Sequence, residues 1–549
     1  MLQSSLPRTS SNLDGSPIDF ATYGKWVSQP DQISFQLTKD LQARLDQATA
    51  AIETALEVPD VIYGVTTGFG GMANKQIGCE QVANLQSNLL SFLAAGTGPE
   101  IDARHTIGAM LLRANVLLQA KSGARPVLIR RLVEFLKSGF VPVVREYGSI
   151  GASGDLIPLA TIARAVTGIS RKVEVRIDDE VVDASTALAK LGLEPLQLNA
   201  KEGLALVNGT SFSSAIAANA TIAAEQAFAM TMVVESMLMR ASQVNIEPFD
   251  EFVHRCKPHP GQIWTASTLR DLLRHTSNRS SNGRVQDPYS LRCFPQYCGS
   301  LIEGVARINS VVHTEMNSVS DNPLIDISTG RFHQSGNFLG QYIGIAMDDL
   351  RRCVGLMAKH LDVQIANLVA PEFNGGLNAS LVGNDGLNFN MGLKGLQICG
   401  NSIVPMLTYL GNPIVEHFPT YAEQFNQNVN GLSWGAANAA WKSVTMYQHY
   451  LAISSLFAIQ SIDLRAKQEL GHFDGRALLG DVANDYYQAV YELLESRPGE
   501  QTPFLFDDED RWLEKDIDVL TADIQTCGRL LSAAEPVADS LEEFITSSK

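Results

Sequence analysis

Cysteine, basic residues and unbroken apolar stretches are what this chain has little of. Seven cysteines occur in 549 residues, at positions 79, 256, 293, 298, 353, 399 and 527. Their number is odd, they form no Cys-x-x-Cys pair, and no close Cys/His group has zinc-site spacing. A disulfide framework and a metal site are therefore not expected, and reduced thiols in a cytoplasmic protein are. Lys and Arg total 42 against 59 Asp and Glu, a formal net charge of −17, which leaves no route to nucleic acid or a membrane surface through overall charge. No window offers the roughly 18 uninterrupted apolar residues of a membrane span. Met1 to Pro17 is Ser-rich and lacks the apolar stretch of a secretory signal.

What is present suits a large folded core, with 45% hydrophobic and 18% charged residues. Residues 1–20 read as a loose tail and 21–205 as a smaller N-terminal lobe. In that lobe the apolar positions from Gln36 to Val58 recur at helical spacing, and helices follow at His105 to Ala120 and Pro126 to Lys137. One short β-hairpin is expected between Lys172 and Asp183, where Val173, Val175 and Ile177 alternate with polar residues. From 206 to 549 the pattern is helical over long stretches, at Ser214 to Val244, Phe338 to Val369 and Val429 to Leu470, with a further helical pattern at Leu520 to Phe544. Small residues on nearly every face of Ala215 to Ala229 suit a buried helix, so a mainly α, long-helix bundle with packing between subunits is predicted. Arg270 to Gln286 is polar and turn-rich, a surface excursion.

The most unusual local run is Tyr147-Gly-Ser-Ile-Gly151-Ala152-Ser153-Gly154-Asp155 before an apolar helix. A tight turn with Ser153 or Asp155 as helix cap explains it in part. A nucleophile elbow would need Gly where Asp155 stands, and a Walker loop would need a following Gly-Lys-Ser/Thr. Chemistry offers a fourth reading. In a sharply bent backbone the Gly154 nitrogen, unhindered by a Cβ, can attack the Ala152 carbonyl. Loss of two waters then yields a five-membered 4-methylidene-imidazol-5-one, an electrophile made without any external cofactor.

The stretch Gly151-Ala-Ser-Gly-Asp-Leu-Ile-Pro-Leu-Ala resembles the prosthetic-group segment of the histidine and aromatic amino-acid ammonia-lyases. Further matches run in order along the chain: Tyr63-Gly-Val-Thr-Thr-Gly-Phe-Gly, Lys201-Glu-Gly-Leu-Ala-Leu-Val-Asn208-Gly-Thr, Gln286-Asp-Pro-Tyr289-Ser-Leu-Arg292, Ser320-Asp-Asn322-Pro and Glu423-Gln-Phe-Asn426-Gln. The resemblance implies an ammonia-lyase/fumarase-like helical fold, a homotetramer with active sites shared between subunits, and a carbon-nitrogen lyase acting on a small amino acid.

It also implies roles that compete with plainer ones. Tyr63 becomes the general base for a β-proton rather than a surface anchor, and its loop can close over substrate. Arg292 becomes the two-pronged holder of the substrate carboxylate rather than a structural ion-pair residue. Asn208 is assigned near the prosthetic group, Asn322 near the carboxylate, Tyr289 as a second phenol and Gln286 to the polar network. Glu423 is assigned near the substrate amine and Asn426, in the same segment, to substrate binding, although Glu423 also suits the first turn of the last long helix. Lys394, otherwise a solvated charge, becomes a pocket residue, and Phe338 adds a ring.

Substrate choice turns on Phe92 and Leu93, where tyrosine-selective relatives carry His and histidine-selective ones a Ser-His pair. This pair, which could also be helix core, offers no partner to a phenol or imidazole. An unpaired buried hydroxyl costs on the order of 1 to 3 kcal/mol. Phenylalanine is the expected substrate, giving trans-cinnamate and ammonia. A phenylalanine 2,3-aminomutase, a tyrosine lyase and a catalytically silent scaffold are the alternatives.

Overall fold

The computed structural model describes residues 12–57, 61–170, 172–274, 285–416 and 421–548, leaving aside the Cys79 side chain. Twenty α-helices and seven short strands form among them. The helix Pro126–Lys137 begins and ends at its sequence signals, with Pro126 in its first turn and Gly139 left-handed at φ +70° just past its end. The helix Lys39–Glu57 buries the stripe Leu41, Leu45, Ala48, Ile52 and Ala55.

Four helices dominate: Ser211–Ala241 with 31 residues, Phe294–Met316 with 23, Gln341–Leu368 with 28 and Ser433–Leu470 with 38. Contacts group the chain into two units, Met1–Ala220 with Val311–Asp348 and Pro413–Ala439, and Thr221–Ser310 with Asp349–Asn412 and Ala440–Lys549. Each long helix gives residues to both, so the grouping does not follow a single boundary near residue 205. Ser211–Ala241 is apolar enough to cross a membrane by length and composition, but 83% of its apolar window is buried in protein. Its small residues pack on nearly every face.

In the first unit, Leu13 and Ile18 are buried, and the Leu13 amide donates to the Ser34 carbonyl at 2.8 Å. The described part of the expected tail is therefore packed, because these apolar side chains anchor it. The predicted hairpin forms as Glu174–Ile177 paired antiparallel with Glu180–Asp183, Val175 opposite Val182. A third strand, Phe140–Pro142, joins its edge. That strand and the pairs Thr97–Glu100 with Arg145–Tyr147 and Leu324–Asp326 with Arg331–His333 are too short to show an alternating pattern. An apolar cluster of Ile52, Ile62, Val65, Val82 and Ile325 underlies the Tyr63 segment.

The second unit adds Pro260–Leu272, Lys394–Leu410 and Asp481–Leu493. The C-terminal pattern resolves into Leu513–Gln525, Arg529–Ala533 and Glu535–Ser547, interrupted at Cys527 and Gly528. Buried Asp463 accepts from the Tyr487 and Tyr491 hydroxyls and from the Phe504 amide, and burial pushes its pKa up to about 7. Of the expected excursion at Arg270 to Gln286, residues 275–284 lie outside the described residues, and Arg270 belongs to Pro260–Leu272.

Candidate active site

The segment Gly151 to Asp155 is held from every side within the first unit. The Gly151 carbonyl accepts from the Gly340 and Gly431 amides at 3.1 and 3.2 Å, and the Asp155 amide donates to the Gly209 carbonyl at 2.8 Å. Gly151 and Gly154 are left-handed, at φ +63° and +66°. A Cβ on Gly154 would stand 2.0 Å from the Gly209 oxygen, so only glycine fits there. Ala152 is buried, and the Ser153 hydroxyl accepts from Gln427 Nε2 at 2.9 Å.

Asp155 stands at the N-cap of Leu156–Thr167 but makes no side-chain cap bond. Its carboxylate instead accepts from the Ser213 amide at 2.7 Å and the Ser149 hydroxyl at 3.1 Å. Burial raises its pKa to about 6 against the pull of those donors. The acid thus braces the bent segment from beneath.

Beside the segment lies a cavity of about 440 Å³, lined by Phe92, Leu93, Ile150, Ala152, Ser153, Gly154, Leu156, Ile157, Glu423 and Gln427 among others. Phe92 ends the helix Val82–Phe92 and is 57% exposed, so it is not the core residue that its helical position allows. Leu93 is buried.

Tyr63 sits in a loop tied down by polar bonds. Gln86 donates to the Gly64 carbonyl at 3.1 Å and accepts from the Leu204 amide at 3.1 Å. The Tyr63 hydroxyl accepts from the Gly70 amide at 3.0 Å. Burial holds the phenol pKa above its ordinary value; the Gly70 bond works against that, and the Glu423 carboxylate adds to it. A general base needs surroundings that favour phenolate, and within this unit the balance runs the other way.

Glu423, Gln424 and Phe425 are consecutively left-handed, at φ +52°, +55° and +67°, a backbone that non-glycine residues adopt only at a cost. Glu423 lies well before the helix Ser433–Leu470, which removes the first-turn reading. Asn426 is exposed, and Phe338 is half-buried.

Buried Asn208 and half-buried Asn322 meet in a polar cluster. Asn208 Nδ2 donates to Asp321 Oδ1 at 3.3 Å and to the Asn322 carbonyl at 3.1 Å, while Asn322 Oδ1 accepts from the Ser335 amide at 2.7 Å. Beneath them Lys201 Nζ lies 2.6 Å from Asp321 Oδ2, both side chains fully buried. Burial lowers the Lys201 pKa and the Asp321 charge opposes the shift. The guanidinium of Arg113 donates to the Ala205, Asn208 and Ser320 carbonyls, its pKa lowered to about 10 by burial.

Gln286, Tyr289, Arg292 and Lys394 belong to the second unit. Tyr289 and Arg292 form the ends of a single turn, Tyr289–Arg292, with the guanidinium 4.7 Å from the phenol ring centre. Tyr289 and Gln286 are exposed. Lys394 is exposed at the first position of its helix, as a plain surface charge would be.

A family model described as aromatic amino acid lyase matches residues 24–490. The chain belongs to that family. As a member it is 44% identical over 535 residues to a phenylalanine ammonia-lyase of Nostoc punctiforme, covering 96% of this chain and 93% of the relative. It is 38% identical to an aromatic ammonia-lyase of Loktanella atrilutea, covering 97% and 99%. The solved structure of a Pantoea agglomerans phenylalanine aminomutase superposes with a TM-score of 0.84 at 26% identity, covering 93% of this chain and 98% of that one. This aromatic amino acid lyase is thus an enzyme of the ammonia-lyase family with the mainly α fold expected of it.

Several positions in the site escape the sequence reading. Gln427, Gln86, Arg113 and the Lys201–Asp321 pair hold the candidate residues, yet each is an ordinary polar residue in a helical or loop pattern. Three of them, Lys201, Asp321 and Gln427, lie inside motifs that the resemblance quotes. Burial is what distinguishes Gln86, Arg113, Lys201 and Asp321, while half-buried Gln427 is marked by its bond to Ser153, and periodicity in a polar loop reports neither.

Proposed function

We propose that this lyase deaminates L-phenylalanine to trans-cinnamate and ammonia as a cytoplasmic homotetramer whose subunits share their active sites. The observation carrying the substrate is the cavity beside Ala152–Gly154, whose Phe92, Leu93, Leu156 and Ile157 walls suit a phenyl ring and offer a phenol no partner at that end.

The bent Gly151–Asp155 segment, with room for nothing larger than hydrogen at Gly154, fits closure into a methylidene-imidazolone. Such a group supplies an electrophile that makes the substrate amine a better leaving group. Gln427 orients the Ser153 hydroxyl, and Asp155 fixes the turn.

Arg292 holds the substrate carboxylate, a planar task that its guanidinium performs and an ammonium does not. Tyr63 removes the β-proton through its phenolate oxygen, with Gly70 donating to that oxygen. Because burial and Glu423 oppose its ionisation, the balancing positive charge comes from bound substrate or from another copy of the chain. Glu423, near the amine, is a candidate partner for the ammonium, and Asn322 for the carboxylate.

The likeness to a phenylalanine aminomutase supports a second reading, in which ammonia returns to the β-carbon. Incubation with phenylalanine, tyrosine and histidine separately, followed by NMR, tests both. Trans-cinnamate as the main product supports the lyase; β-phenylalanine overturns it in favour of the mutase, and urocanate or coumarate overturns the assignment of the cavity.

A further inference from the structure

Between Tyr289 and Arg292, Ser290 is gripped by one stripe of a neighbouring helix in the second unit. His360 Nε2 lies 2.9 Å from the Ser290 carbonyl oxygen, Gln364 Nε2 donates to the same oxygen at 3.1 Å, and Asn367 Nδ2 donates to the Ser290 hydroxyl at 2.9 Å. Positions 360, 364 and 367 share a face of Gln341–Leu368. On the other side of the imidazole, Nδ1 lies 2.8 Å from Glu235 Oε1.

A carbonyl oxygen can only accept, so His360 Nε2 carries a proton. A further proton sits between Nδ1 and the Glu235 carboxyl, whichever of them holds it. The pair is buried, at 5% and 0% side-chain exposure, and the ring packs 4.7 Å from Phe294 and 5.1 Å from Tyr297. Neither tautomer nor ring orientation is free to vary. A single helical turn has no stability of its own, so the position of Tyr289–Arg292 comes from what grips it.

We infer that Glu235 and His360, with Gln364 and Asn367, are positioning residues that fix the Tyr289–Arg292 turn and so aim Arg292 at the substrate carboxylate. This inference rests on the role given to Arg292 above.

Calorimetric affinities of the full-length protein for trans-cinnamate and for uncharged cinnamamide test it. His360→Leu should weaken trans-cinnamate by about tenfold and cinnamamide by less than about threefold. His360→Gln, whose amide can replace the Nε2 donor, should recover most of the loss. Arg292→Ala is the reference. Should it leave trans-cinnamate binding unchanged, the role of Arg292 fails; should it weaken binding while His360→Leu does not, the grip on Ser290 fails. If circular dichroism finds His360→Leu unfolded, the Gln364→Leu, Asn367→Ala double variant carries the same test with the His360–Glu235 pair intact. Selective weakening of the carboxylate ligand supports the inference, and equal or no weakening of the two ligands overturns it.

Discussion

The Tyr63 hydroxyl accepts a 3.0 Å hydrogen bond from the Gly70 amide, and a Cβ on that same glycine would stand 1.5 Å from Glu423 Oε2. Phenol, donor and carboxylate are thus set against one another. The glycine donates to the phenol while the glutamate charge raises its pKa. A base acts only when deprotonated, so activity should rise with pH through the Tyr63 pKa. Glu423→Gln removes the charge that raises it, and the ascending limb of log kcat/KM should move to lower pH. Movement to higher pH would contradict the assignment of Tyr63. Tyr63→Phe should lower kcat by about 10² to 10⁴-fold without altering the circular dichroism.

Gly154→Ala tests the bent segment. The new Cβ meets the Gly209 carbonyl, and alanine at φ +66° is strained in any case. We expect a stability loss of more than about 1 kcal/mol, read from denaturant unfolding, with no cyclised product by mass.

The Lys201–Asp321 pair is fully buried, so removing one partner strands a charge. Lys201→Met should destabilise the fold by about 3–5 kcal/mol. The Lys201→Met, Asp321→Leu double variant should lose less than the sum of the two single changes, and additive losses would show that the pair does not interact.

Much of this fold is legible in the sequence because helix periodicity is a long-range repeat. Pro126–Lys137 is readable to the residue, and Ser433–Leu470 starts only four residues after its expected Val429. Three-residue strands such as Phe140–Pro142 carry no repeat to read. In the candidate site, chemistry singles out Ala152-Ser153-Gly154 in the sequence, and the fold sets that segment on the wall of the cavity. The site is illegible where an ordinary residue acts through burial, as Gln86 does in bracing the Tyr63 loop.

Phe92→His introduces a hydrogen-bond partner at the exposed end of Val82–Phe92, where Phe92 lines the cavity. The ratio of kcat/KM for tyrosine over phenylalanine should rise by about tenfold or more. An unchanged ratio would remove Phe92 from substrate selection.

The most direct measurement is the mass of the proteolytic fragment that carries residues 151–155, taken from active protein. It should be lighter than its sequence by two waters, and the Ser153→Ala fragment should lack that two-water loss. A fully hydrated fragment from protein that still releases ammonia from phenylalanine would contradict the account.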